Sequence, residues 1–144
     1  MRVMDVPQRL QDIIDAFSGA PAQLRLPLLL EYAGKVPPLP ERYSDPASME
    51  RVHECQTPFF LASELSDDGT VDFFFGAPEE APTTRGFAGI LHEGLAGLTP
   101  GQVALVPNDF YLQLGLAELI SPLRLRGIAA ILGRAKRQAA ELGA

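Results

Sequence analysis

The stretch Ser66-Asp67-Asp68-Gly69-Thr70-Val71-Asp72-Phe73-Phe74-Phe75 decides the fold class. Asp-Gly is a turn dipeptide: glycine takes the positive φ that a tight hairpin needs, and aspartate bonds back to its own backbone. Thr70 to Phe75 is then rich in β-branched and aromatic residues, which suit a pleated, half-buried surface. Upstream of the turn, Arg51 to Glu64 reads as the partner strand, with an interruption at Pro58, which has no N–H to give a ladder. Three consecutive phenylalanines imply burial on both faces of the returning strand or one exposed aromatic, and core packing is their simplest role.

Helical patterns flank this hairpin on both sides. Leu10, Ile13, Ile14 and Phe17 form one stripe of a helix from about Pro7 to Phe17, stopped by Ser18-Gly19. A second helix follows Ala20-Pro21, with Leu24, Leu28 and Tyr32 on one face. Pro27 within it predicts a kink, or a start nearer Leu26. Val36-Pro37-Pro38-Leu39-Pro40 is a stiff surface connection, and Pro40 to Ser48 continues as loop. Beyond the hairpin, Pro82-Thr83-Thr84 opens a helix to about Ala96, with Thr83 or Thr84 as its cap. Thr99-Pro100-Gly101-Gln102 is another capped start. Pro107-Asn108-Asp109 breaks the chain before a short helix from Tyr111 to Leu119. Ser121-Pro122 then opens a long C-terminal helix carrying Leu125, Ile128, Ile131 and Leu132 inward. The expected class is α+β: a small antiparallel sheet packed against several helices, as one domain over residues 1–144.

Composition narrows the function. The net charge is −6, whereas phosphate binding needs clustered lysine and arginine, so nucleic acid is not the expected partner. Arg124, Arg126, Arg134, Lys136 and Arg137 make the one cationic concentration, either a solvated helix face or a surface for a partner. No apolar run approaches the ~20 residues of a membrane span. Met1-Arg2-Val3-Met4-Asp5 lacks the apolar stretch of a signal peptide. The expectation is a cytoplasmic chain without membrane contact, and a free thiol suits a reducing compartment.

Cys55 is the only cysteine, which excludes an internal disulfide, a two-thiol redox couple and a cysteine-rich zinc site. A buried inert thiol and a reactive one both remain open. Cysteine is among the most buried residue types, yet Arg51, His53, Glu54, Gln56 and Thr57 are not the neighbours of a core position. Arg51 and His53 would lower the thiol pKa and Glu54 would raise it. His53 and His92 show no metal-ligand spacing. A thiol hydrolase would need His92 beside Cys55, oriented by Asn108 or Asp109. Gly86, Gly89, Gly94 and Gly97 form no dinucleotide fingerprint.

Taken together, three stretches resemble the SufE family, the sulfur-accepting partners of cysteine desulfurases, from about Leu10 to the end of the last helix. They are Arg51-Val52-His53-Glu54-Cys55-Gln56-Thr57; Thr84-Arg85-Gly86-Phe87 with Leu95 and Thr99-Pro100; and Leu114-Gly115-Leu116 with Leu119, Ser121-Pro122-Leu123-Arg124 and Gly127. Leu30-Glu31-Tyr32-Ala33-Gly34-Lys35 and Pro37-Leu39-Pro40 add to the likeness. Glu54 stands where the family usually has glycine, and Pro58-Phe59 where an aliphatic-aromatic pair often follows. The resemblance implies a SufE-like fold and a chain that is not itself a complete enzyme. It implies that Cys55 receives sulfur as a persulfide from a SufS-like desulfurase, with onward transfer toward an iron–sulfur scaffold. No cofactor is implied here, since pyridoxal phosphate belongs to the desulfurase. Arg124 matches the family's Ser-Pro-x-Arg run and is the best supported auxiliary residue; Arg51, His53 and Arg85 are further candidates. The alternative is an adaptor in which Cys55 only packs.

Overall fold

A computed structural model describes residues 6–143; the N-terminal stretch read above against a signal peptide lies outside the described residues. The order of elements is α1 (Gln8–Gly19), α2 (Ala22–Ala33), two single 3-10 turns (Glu41–Tyr43 and Pro46–Ser48), β1 (Glu50–Arg51), β2 (Phe60–Leu65), β3 (Val71–Gly76), α3 (Pro82–Gly94), α4 (Pro100–Ala104), a 3-10 segment (Phe110–Leu114) and α5 (Pro122–Leu142). The strands lie in the order β1-β2-β3, antiparallel throughout. The fold is α+β, as the sequence led us to expect.

The central hairpin forms as its residues dictate. Leu61 pairs with Phe75, Ser63 with Phe73 and Leu65 with Val71, so these alternate residues share one face. Val71, Phe73 and Phe75 are buried. Phe74 points to the other face, where Tyr43 packs on it at 5.0 Å between centroids and the Arg42 guanidinium lies 5.2 Å from its ring centre. That cover from the 3-10 turn resolves the puzzle of three phenylalanines in a row. At the turn, Gly69 takes φ +84° and its N–H donates to Ser66 O, while Asp68 Oδ1 accepts from the N–H and hydroxyl of Thr70.

The helices cover the inner face of the sheet. Leu10, Phe17, Leu29, Phe59, Phe87 and Phe110 are fully buried in one core with Ile131 and Leu132 of α5. Gly86 and Gly89 let α3 lie directly against the backbone of α2 at Leu29 and Tyr32, where any side chain would collide. Ser121 Oγ accepts from the Arg124 N–H at 3.3 Å and caps α5, and Thr99 with Gln102 closes a capping box on α4.

Five expectations need correction. The stretch from Arg51 to Glu64 is not one strand: only Glu50–Arg51 and Phe60–Leu65 pair, and residues 52–59 loop out between them. Pro58 cannot donate, and the polar residues before it have no core to face. Helix α2 starts at Ala22 and keeps Pro27 inside it, with Leu29 as its buried residue; Leu24 is 53% exposed, off the inward face. Thr83 and Thr84 do not cap α3; Pro82 starts it after Ala81. Helix α3 ends at Gly94, two residues short of Ala96. The segment after Pro107 is a 3-10 turn ended by Gly115 at φ +71°, not a helix to Leu119.

Candidate functional site

Cys55 sits in the connection between β1 and β2. The Val52 N–H donates to Phe59 O at 2.8 Å and closes the loop, and the Cys55 N–H donates to Val52 O at 3.2 Å inside it. His53, Glu54, Gln56 and Pro58 are exposed around a thiol that is only 8% exposed. The sequence leaves burial of this residue open, since cysteine favours the core while its neighbours are polar, and the fold turns its side chain inward.

A gap in α5 makes that possible. A Cβ at Gly127 would lie 3.1 Å from Cys55 Sγ and 3.5 Å from its Cα, so the absence of a side chain leaves the slot the thiol fills. Beside it lies a cavity of about 60 Å³ lined by Cys55, Thr57, Glu80, Thr84, Leu123 and Arg124, among others. Burial pushes the Cys55 thiol up to about 11, and the Glu54 carboxylate adds to the rise, which Arg134 partly offsets. In this buried position Cys55 is a protonated thiol at neutral pH, a poor nucleophile.

Glu54 is held from across the molecule. Arg134 of α5 donates to Glu54 Oε1 at 2.6 Å and to Glu50 Oε2 at 2.9 Å. Glu50 also accepts from Arg137 and, at 2.9 Å, from Gln138 Nε2. Burial works against the Glu50 charge, yet hydrogen bonds from Gln138, Arg137 and Arg134 outweigh it and hold the carboxyl down to about 2. The cationic concentration in the C-terminal helix is therefore divided. Arg134 and Arg137 serve internal carboxylates, and Lys136 donates to Val106 O and to Asn108 Oδ1. Among the described residues, no carboxylate lies within 4 Å of Arg124 or Arg126.

Of the auxiliary candidates, Arg124 lines the Cys55 cavity. Arg51 and His53 are exposed and do not. Arg85 donates to Ala33 O at 3.1 Å and to Ala77 O, joining the end of α2 to the segment before α3. His92 lines a different cavity, with Leu39, Asp72 and Phe73, so the structure does not bring it together with Cys55 as a hydrolase would need. Asn108 is engaged by Lys136 instead. Sequence reasoning missed the roles of Gly127 and Arg134. Glycine inside a helical pattern was the available signal for the first; nothing local to Arg134 marks it.

No group of three metal-ligating side chains occurs among the described residues, nor a helix long and apolar enough to cross a membrane. The SufE family model, described as an Fe-S metabolism associated domain, matches residues 11–139. Two relatives from Mycobacterium tuberculosis, strains CDC 1551 / Oshkosh and ATCC 25618 / H37Rv, are described as uncharacterized SufE-like proteins. Each is 48% identical over 136 residues, covering 94% of both chains. The solution structure of a hypothetical protein from Thermus thermophilus is 46% identical, with a TM-score of 0.84 over 95% of this chain and 97% of that one. The family match over most of the length and the shared fold agree, and the chain belongs to the SufE family, whose domain is associated with iron–sulfur metabolism.

Proposed function

We propose that this chain is a sulfur carrier: Cys55 accepts the terminal sulfur of a persulfide on a pyridoxal-phosphate-dependent cysteine desulfurase and passes it on for iron–sulfur cluster assembly. The Cys55 thiolate attacks that terminal sulfur. A new S–S bond forms at Cys55 as the donor's S–S bond breaks, and the donor cysteine departs as a thiolate that can take up the proton Cys55 gave up. Oxidation states are conserved across the pair, so one cysteine suffices and no added oxidant is needed. The chain works as an accessory to the desulfurase and brings no cofactor of its own.

The observation that carries this reading is how the sole thiol is buried. Cys55 is covered because its own loop folds inward onto Gly127, while the residues on either side face solvent. Turning the loop outward would return the thiol from about 11 to its ordinary value near 9 and multiply the thiolate fraction at neutral pH by roughly a hundredfold. The closed state protects; the opened state reacts. The adjoining space of about 60 Å³ exceeds the ~10–15 Å³ that a single water needs, which leaves room for one added sulfur atom.

Low exposure also favours a second reading, an adaptor in which Cys55 is packing alone. Intact-mass measurement after incubation with a cysteine desulfurase, pyridoxal phosphate and free cysteine separates them. The carrier gains the mass of one sulfur atom, reversibly with reductant. The Cys55→Ser variant gains none and no longer stimulates the desulfurase, though it still binds. Full stimulation by Cys55→Ser, with no sulfur on the native chain, would leave the adaptor.

A further inference from the structure

We infer that Glu54 and Arg134 form a latch that positions Cys55: their ion pair holds the loop closed over the thiol, and breaking it frees the loop to swing out. This rests on the reading of Cys55 as the sulfur acceptor, since a packing cysteine has no reason to be released.

The geometry points to it in three ways. First, among the described residues, Glu54 is the only residue from His53 to Pro58 whose side chain hydrogen-bonds to the rest of the protein. Between its two core-buried ends, Val52 and Phe59, which close it by a backbone bond, the loop is otherwise held by one backbone bond within it and by the packing of the thiol on Gly127. Second, Arg134 lies seven residues after Gly127 in α5, about two turns on and on the same face, so one helix supplies both the slot and the clasp. Third, the two carboxylates on Arg134 differ in how they are anchored. Glu50 belongs to β1 and is shared with Arg137 and Gln138; Glu54 belongs to the loop and, among the described residues, has Arg134 alone as a charged partner within 4 Å. When Glu54 leaves, Arg134 keeps Glu50 and stays in place to receive it again. The clasp side chains are partly open to solvent, 24% for Arg134 and 40% for Glu54, so an approaching partner's own charges can compete for them.

The test uses the native chain alone and reads the alkylation rate of Cys55 by iodoacetamide, independently of any desulfurase. Arg134→Gln separates release from simple electrostatics, because the two have opposite signs. Arg134 lowers the thiol pKa, so removing its charge without opening the loop slows labelling. Opening the latch accelerates it, by roughly two- to fivefold, the range of a partly exposed ion pair. Glu54→Gln should accelerate labelling as well, by raising the whole pH–rate curve including its alkaline plateau. A mere charge effect slides the curve sideways. High salt should speed labelling of the native chain and leave the Glu54→Gln/Arg134→Gln double variant unmoved. Slower or unchanged labelling of Arg134→Gln, together with a plateau unmoved by Glu54→Gln, overturns the latch. Absence of sulfur loading with these labelling results intact would overturn the carrier reading instead.

Discussion

The three-stranded sheet has two hairpin connections, and they are held in opposite ways. The loop from Ser66 to Thr70 is self-sufficient: Gly69 takes the left-handed conformation, Asp68 accepts twice from Thr70, and Ser66 and Thr70 bond across the turn. Every one of those contacts spans four residues or fewer. The loop from Val52 to Phe59 has little structure of its own and is fastened by α5, at Gly127 and at Arg134, some 70 to 80 residues later. A turn fixed by its own residues stays shut while the sheet exists. A turn fixed from outside can be released without disturbing the sheet.

Three measurements would break or sharpen that contrast. The largest effect belongs to Phe59→Ala. Phe59 is fully buried against Phe75 at 6.2 Å between centroids and anchors the return of the Cys55 loop. Its loss should cost about 3–5 kcal/mol in urea denaturation and make Cys55 label much faster. A cost below about 1 kcal/mol would mean that the loop is not seated by this ring. Next, Gly69→Ala strains a backbone at φ +84° and should cost about 1 kcal/mol while leaving Cys55 labelling unchanged. Faster labelling there would show that the two hairpins open together. The smallest effect is acid sensitivity through Glu50. Its carboxyl is held at about 2, below its ordinary value near 4.5, so its contribution is complete above pH ~4.5 and lost as pH falls toward ~2. After solvent screening this amounts to less than about 1 kcal/mol, read as the difference in urea stability between the native chain and Glu50→Gln at pH 5 and at pH 3. An identical difference at both values would remove Glu50 from the clasp's foundation.

The same contrast explains what can be read from the chain. The Asp68-Gly69 turn, the Thr99–Gln102 box and the Ser121 cap are legible because each is an arrangement among neighbouring residues. Cys55 stands out as the sole thiol, and the fold sets Arg124, marked by a matched run at the start of the last helix, beside its cavity. The loop reads as strand because Val52 and Phe59 do face the core and bracket it, and nothing in the intervening residues announces where they dock. The direction of the thiol's pKa is open in the sequence for the same reason: it is set by burial on Gly127, a tertiary event. Arg134 is hidden among five basic residues of one helix, and only the fold tells the two that serve Glu50 from the rest.

Gly127 sets two demands against each other. Alanine there would favour α5 by ~0.5–1 kcal/mol, yet would bring a methyl carbon within 3.1 Å of sulfur. A stiffer helix and a quiet sulfhydryl are thus incompatible at this one residue. Drift at position 127 would change how readily the protein is oxidised or alkylated without altering a single atom of the cysteine.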